Sequence, residues 1–177
     1  PHVMAAKTVA LTEALKPDFK DYAHRIQRNA SALAQACIDQ GLNVLTGGTD
    51  NHLLLIDVTS FGLTGRQAES ALRESGITLN RNSLPNDPNG PWYTSGLRVG
   101  TPAITTLGMN ESDMKEIAKI LKTILANTTP TTIDKGDNKG QQSKANYTTE
   151  PPAAQQDNPA LRTLLDRYPV YHAPALA

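Results

Sequence analysis

Arg98 stands between Leu97 and Val99 in the run GLRVG, residues 96–100. Flanked by apolar residues, the segment reads as buried strand, so a full positive charge in it needs a reason. A guanidinium carries its N–H donors in one plane, a fork that matches two carboxylate or phosphate oxygens at once. Burying it without a counter-charge would cost roughly 3–5 kcal/mol. Two kinds of partner would satisfy it: an internal Asp or Glu, which is structural, or the anionic end of a ligand, which is functional. Residue chemistry alone leaves both open. Gly96 and Gly100 permit close backbone approach on either side, and a strand would hold the fork rigidly.

The other reactive side chains offer less. His2, His24, His52 and His172 are scattered singly, and with Cys37 they make no zinc-holding spacing, so no metal site is expected. His52 follows GGTDN at the mouth of a strand and reads as structural. TGGTDNH (46–52) has a glycine pair, but it lacks the lysine of a phosphate-binding loop and leads into a strand rather than a helix. It reads as a tight turn. Asp50, Asp57 and Asp87 form no evident carboxylate pair, and no acid–base chemistry is assigned to them.

The elements that must position Arg98 follow from periodicity. Residues 2–15, rich in Ala, Val, Leu and Met, predict a largely buried helix. Pro17 opens a second helix over 18–40, with Tyr22, Ile26, Ala30, Leu33 and Cys37 on one face and Gly41 as its stop. Strands are expected at 42–45, 52–58, 77–80 and 96–100. Thr64 should cap a helix at 65–75 and Asn110 one at 111–126, whose inward residues would be Met114, Ile117, Ala118, Leu121, Ile124 and Leu125. SLPNDPNGP (83–91) must be a loop. Residues 127–157 are polar, rich in Pro and Gly and poor in aliphatics, and predict a flexible linker. A helix at 158–168 and a tail close the chain. The fold class expected is α/β of the α+β kind, a small mixed sheet covered by helices. The domain reading is 1–16, 17–126, the linker 127–157, and 158–177.

Composition excludes several partners. The chain has 177 residues, with 17 Lys+Arg against 17 Asp+Glu, so it presents no charge footprint for nucleic acid or an anionic membrane. No apolar run approaches a bilayer span. A single cysteine and no secretory pattern point to a reducing, cytoplasmic setting.

Four motifs carry a resemblance. TGGTDNHLLLIDV (46–58), LTGRQAESAL (63–72), GITLNRNSLPNDP (76–88) and TSGLRVGTPAITT (94–106) resemble, in order and spacing, the C-terminal region of serine hydroxymethyltransferase. The opening PHVMAAKTVAL and the closing LLDRYPVY are similar to it as well. The resemblance implies the C-terminal domain of an aspartate-aminotransferase-like fold, with residues 1–16 a helix of the large cofactor domain. It implies an oligomeric pyridoxal-phosphate enzyme that interconverts serine and glycine while passing one carbon to tetrahydrofolate. Arg98 would then grip the substrate α-carboxylate, and Asn82, Gly90, Pro91 and Trp92 would line the folate site. Two departures stand out: Leu107 occupies a position where the family usually has arginine, and the 127–157 segment is long. No lysine follows a histidine here, so the Schiff-base lysine is not in this chain, which is expected to be inactive alone and to need the N-terminal part of the enzyme. Two alternatives are a threonine-aldolase-like enzyme of the same fold type and a non-catalytic binding domain.

Overall fold

The computed structural model describes residues 1–150 and 158–170. Helix α1 (His2–Ala14) leads through a short turn to α2 (Pro17–Asp39), which Pro17 opens. Gly41 ends that helix in a left-handed conformation, with φ +73°, and the Leu42 amide reaches back to the Cys37 carbonyl at 2.9 Å. Strands β1 (Asn43–Val44) and β2 (Leu53–Asp57) follow. Helix α3 (Gly65–Glu74) begins at a reciprocal capping box between Thr64 and Gln67, so that two orphan N-terminal amides are satisfied. Then come β3 (Asn80–Asn82), the one-turn helix α4 (Gly90–Tyr93), β4 (Gly96–Gly100) and the short α5 (Pro102–Thr106). Helix α6 (Glu111–Ala126) starts at a second capping box, Asn110 with Asp113. The chain continues through β5 (Thr128–Thr132), β6 (Gln142–Thr149) and α7 (Pro159–Arg167).

Strands β1 to β4 form one sheet in the order β1-β2-β4-β3, antiparallel at every pairing rather than mixed. In β2 and β4 the register sets Leu54 opposite Val99 and Ile56 opposite Leu97. Because strand side chains alternate, these four share one face, and all are buried. They pack against Leu33 and Cys37 of α2, Ala68 and Leu72 of α3, and Leu121 and Ile124 of α6. Ala30, Leu33 and Cys37 of the expected α2 stripe are buried; Tyr22 and Ile26 are half-buried. Burial removes solvation from the Cys37 thiolate and pushes the thiol up to about 12, which makes it an inert core group.

Three expectations are corrected. Residues 77–79 are not strand: the Ile77 amide is spent on the Leu72 carbonyl at 2.8 Å, closing α3, and pairing begins only at Asn80. Helix α1 is not buried in this chain, since none of its residues is buried and only Ala14 is partly so. Residues 128–149 are not an open linker but a β-hairpin, β5 with β6. Composition misled because the hairpin is held by hydrogen bonds rather than by aliphatic area. Thr128 faces Thr149 and Thr129 faces Thr148, hydroxyl to hydroxyl, and the β-branched threonines suit a pleated strand. The rest of the expected linker, 151–157, and the tail from 171 onward lie outside the described residues.

Candidate functional site

The face of the sheet away from the helices carries Arg98. Its ladder partners are Leu55 on β2 and Asn80 on β3, and Asn82 sits opposite Gly96. By alternation Asn43, Leu53, Leu55, Asp57, Arg98, Asn80 and Asn82 project from this one face, where the Asp57 carboxylate is held by Asn43 Nδ2 at 3.2 Å and by the Thr59 hydroxyl at 2.7 Å. Arg98 is therefore exposed, not buried as the sequence suggests, and the cost of a buried charge does not arise in this chain. Its Nε donates to Asn80 Oδ1 at 3.2 Å. Among the described residues no ion pair involves Arg98. The Nε of the guanidinium is thus held by a neutral carboxamide, which leaves the two terminal amino groups to take a planar anion end on. Asn80 was not singled out by sequence; its only signal is its place three residues before the loop.

Arg98 and Asn80 also border a cavity of about 620 Å3 whose walls are apolar, among them Ile77, Leu79, Ile117 and Leu164. Beyond Gly100 the strand is anchored by Thr101: its amide donates to the His52 carbonyl at 3.1 Å and its hydroxyl to the Ile26 carbonyl at 2.8 Å.

The loop after β3 is organised by Asp87, which the sequence reading set aside. Its Oδ2 accepts from the Leu84 and Ser95 amides at 3.0 and 2.8 Å, and its Oδ1 from the Asn89 amide at 2.9 Å and the Ser95 hydroxyl at 2.6 Å. Burial raises the carboxyl pKa, but the Ser95 hydroxyl and the three amides outweigh it, and the net shift is downward. The N-D-P spacing, typical of an Asx turn, is the signal that marks this residue. Asp87 ties the loop to the first residues of β4, hence to Arg98.

Of the remaining sequence-derived site residues, Asn82 shares the Arg98 face, with its amide on the Ser83 carbonyl at 2.8 Å. Gly90, at φ +68°, and Pro91 begin α4. Trp92 is 62% exposed, but its ring lies against Arg66 and Arg81, at 5.5 and 5.9 Å from their guanidinium carbons. Arg81 is laddered opposite Leu97 and paired with Glu69 of α3 at 2.8 Å, so Trp92 is held from the helix side of the sheet. The structure therefore brings Arg98 and Asn82 to one face and sets Trp92 behind it. Leu107, half-buried after α5, ends that helix with its amide on the Ala103 carbonyl at 3.2 Å. Among the described residues no three His, Cys, Asp or Glu side chains group to hold a metal, and no helix is long and apolar enough to cross a membrane.

The family model for serine hydroxymethyltransferase matches residues 1–121. The chain belongs to the serine hydroxymethyltransferase family. It is 53% identical over 173 residues to the serine hydroxymethyltransferase of Salinispora tropica, covering 98% of this chain and 35% of that relative. It is 64% identical over 130 residues to that of Treponema pallidum, covering 73% of this chain and 23% of that relative. Against the Cutibacterium acnes protein it is 49% identical over 171 residues, with 96% and 34% covered. The chain thus spans about a third or less of the length of these serine hydroxymethyltransferases, and what it matches is their C-terminal part. Alignments covering 96–98% of this chain take in the β5–β6 hairpin as well as the Arg98 sheet.

Proposed function

We propose that this chain supplies the substrate-carboxylate clamp and one wall of the folate site to a serine hydroxymethyltransferase that interconverts serine and glycine with tetrahydrofolate. The observation that carries the reading is Arg98, a guanidinium fixed mid-strand with one edge on Asn80 and, among the described residues, no ion pair on the other. A serine or glycine carboxylate supplies the missing counter-charge. Gripping it at two oxygens fixes the amino acid's orientation, and orientation decides which bond at Cα is set for cleavage. Asn82, on the same face, presents both a donor and an acceptor to a pterin edge. Gly90 and Pro91 extend that wall, with Trp92 backing it from the helix side.

The family's chemistry belongs to pyridoxal phosphate, which serves as the electron sink. The residues of this chain do not by themselves fit that group. The face around Arg98 offers one guanidinium, the carboxamides of Asn43, Asn80 and Asn82, two leucines and the Asp57 carboxylate, and no lysine amine. Cofactor chemistry therefore needs the rest of a full-length enzyme, and no step is assigned to this chain beyond binding and orientation. In such an enzyme Arg98→Ala should lower kcat/KM for serine by about 100-fold or more, with the fold retained by circular dichroism. Near-normal serine kinetics in that variant would reject the clamp.

A further inference from the structure

Gln67 is fully buried and uses its whole side chain. Its Oε1 accepts from the Thr64 amide at 2.9 Å, which closes the α3 capping box. Its Nε2 donates outward to two carbonyls of the hairpin, Ser143 at 2.7 Å and Asn146 at 2.8 Å. Next to it, the Thr64 hydroxyl donates to the Lys144 carbonyl at 2.8 Å. The hairpin is thus bolted to the first turn of α3. That turn in turn presses on the start of β4. The Gly65 amide donates to the Thr94 carbonyl at 3.0 Å, and Gly65 has no room for a side chain there. Thr94 itself is strained, at φ 57° and ψ 174°, a region that non-glycine residues rarely occupy. Its hydroxyl is buried without a hydrogen-bond partner. Such strain persists only where the surroundings over-determine the backbone. From β6 of the same hairpin Lys144 lies over the Tyr93 ring at 6.0 Å, and from the same α3 turn Arg66 lies over Trp92.

We propose that the β5–β6 hairpin is a brace and that Gln67 is its positioning residue: through the first turn of α3 it fixes the 90–94 turn against the sheet that bears Arg98 and Asn82. Arg98 needs no such brace, because it is laddered on both sides, to Leu55 and to Asn80. The 90–94 turn has no ladder. Releasing the hairpin should therefore loosen the proposed folate wall and spare the carboxylate clamp. In its kinetic consequence the inference rests on the functional reading above.

Gln67→Glu separates the brace from the helix. A glutamate at this position keeps the capping box, since it still accepts from Thr64, but ionised it has no proton to donate and protonated it has one, so it cannot serve both the Ser143 and Asn146 carbonyls. Trp92 is the chain's only tryptophan and reports on the turn directly. In the full 177-residue chain, Q67E should lower the time-resolved anisotropy of Trp92 while helicity stays unchanged; an unchanged anisotropy would overturn the brace. In a full-length enzyme, Q67E should raise KM for tetrahydrofolate about tenfold and leave KM for serine within about twofold. Equal changes in both would make Gln67 merely structural and overturn the positioning role. Two further variants keep the two claims apart. Asp137→Ala, at the exposed hairpin tip, should change neither KM, and a change there would count against the brace. Asn82→Ala tests the wall alone: if it leaves the folate KM untouched, the wall reading fails while the anisotropy result still decides the brace.

Discussion

Arg98→Lys would keep the charge and still lose the clamp, because an ammonium cannot hold one edge on Asn80 while offering a parallel pair of donors to a carboxylate. The variant should resemble Arg98→Ala in serine kcat/KM more than it resembles the native enzyme. A second residue-scale prediction concerns Asp87. Its pKa is depressed in the folded state, so its stabilising contribution is present above the ordinary carboxylate value of about 3.9 and is lost as pH falls through the lower folded value. Asp87→Asn keeps one acceptor oxygen of the two and forfeits the charge that four donors favour. The variant should be less stable than the native chain at pH 7, and the gap in urea midpoint should narrow at pH 3. A gap that stays constant between the two pH values would remove Asp87 as the charged hub of the loop.

Elements defined by caps and apolar stripes were legible in the sequence, because a cap needs one residue type at one place. Thr64, Asn110, Gly41 and Pro17 mark their helix ends, and Leu33, Cys37, Leu121 and Ile124 face the core as their spacing requires. The strand of Arg98 was legible too, yet its burial was not. Strand period alone cannot say which face a neighbouring layer covers, and Leu97 and Val99 took the covered one. The hairpin escaped because its partners, Gln67 and Thr64, are distant in sequence, and backbone carbonyls leave no trace in composition. The close contact of α3 with β4 was equally invisible. A methyl at Gly65 would overlap the Thr94 hydroxyl and come within 2.7 Å of the Gly96 carbonyl oxygen, which is backbone and cannot swing aside. Gly65→Ala should therefore destabilise the chain by about 1–3 kcal/mol, against the small gain that alanine brings to an open helix position. Gly62→Ala has open space and a left-handed backbone, so it measures the conformational cost without the clash. Urea denaturation of the two variants reads the two costs separately; a Gly65→Ala chain as stable as the native one would show that the Gly65 contact is not tight.

At the scale of the whole molecule, α1 is the part that this chain does not explain. Its 13 residues bury nothing, and Val3, Met4, Val9 and Leu11 stand 52–74% exposed. An isolated helix of this length is marginal in water, because nucleation costs more than so few propagated turns return. By contrast α6, with seven buried residues, is held by the core. Amide exchange should accordingly be fast along α1 and slow along α6 in the same sample. Exposed apolar surface is also a site of association. Relatives in this family are about three times as long as the segment matched here, and we propose that the remainder of such an enzyme covers α1. Without that cover the chain should self-associate as concentration rises, and α1 amides should slow in step with the associated fraction. Met4→Lys with Leu11→Glu places a charge at two exposed positions outside the core, so folding of the rest should be unaffected. Sedimentation velocity should then show the double variant monomeric where the native chain is not. A native chain that stays monomeric with fast α1 exchange across the whole concentration range would mean that the helix needs a specific partner surface rather than any apolar one.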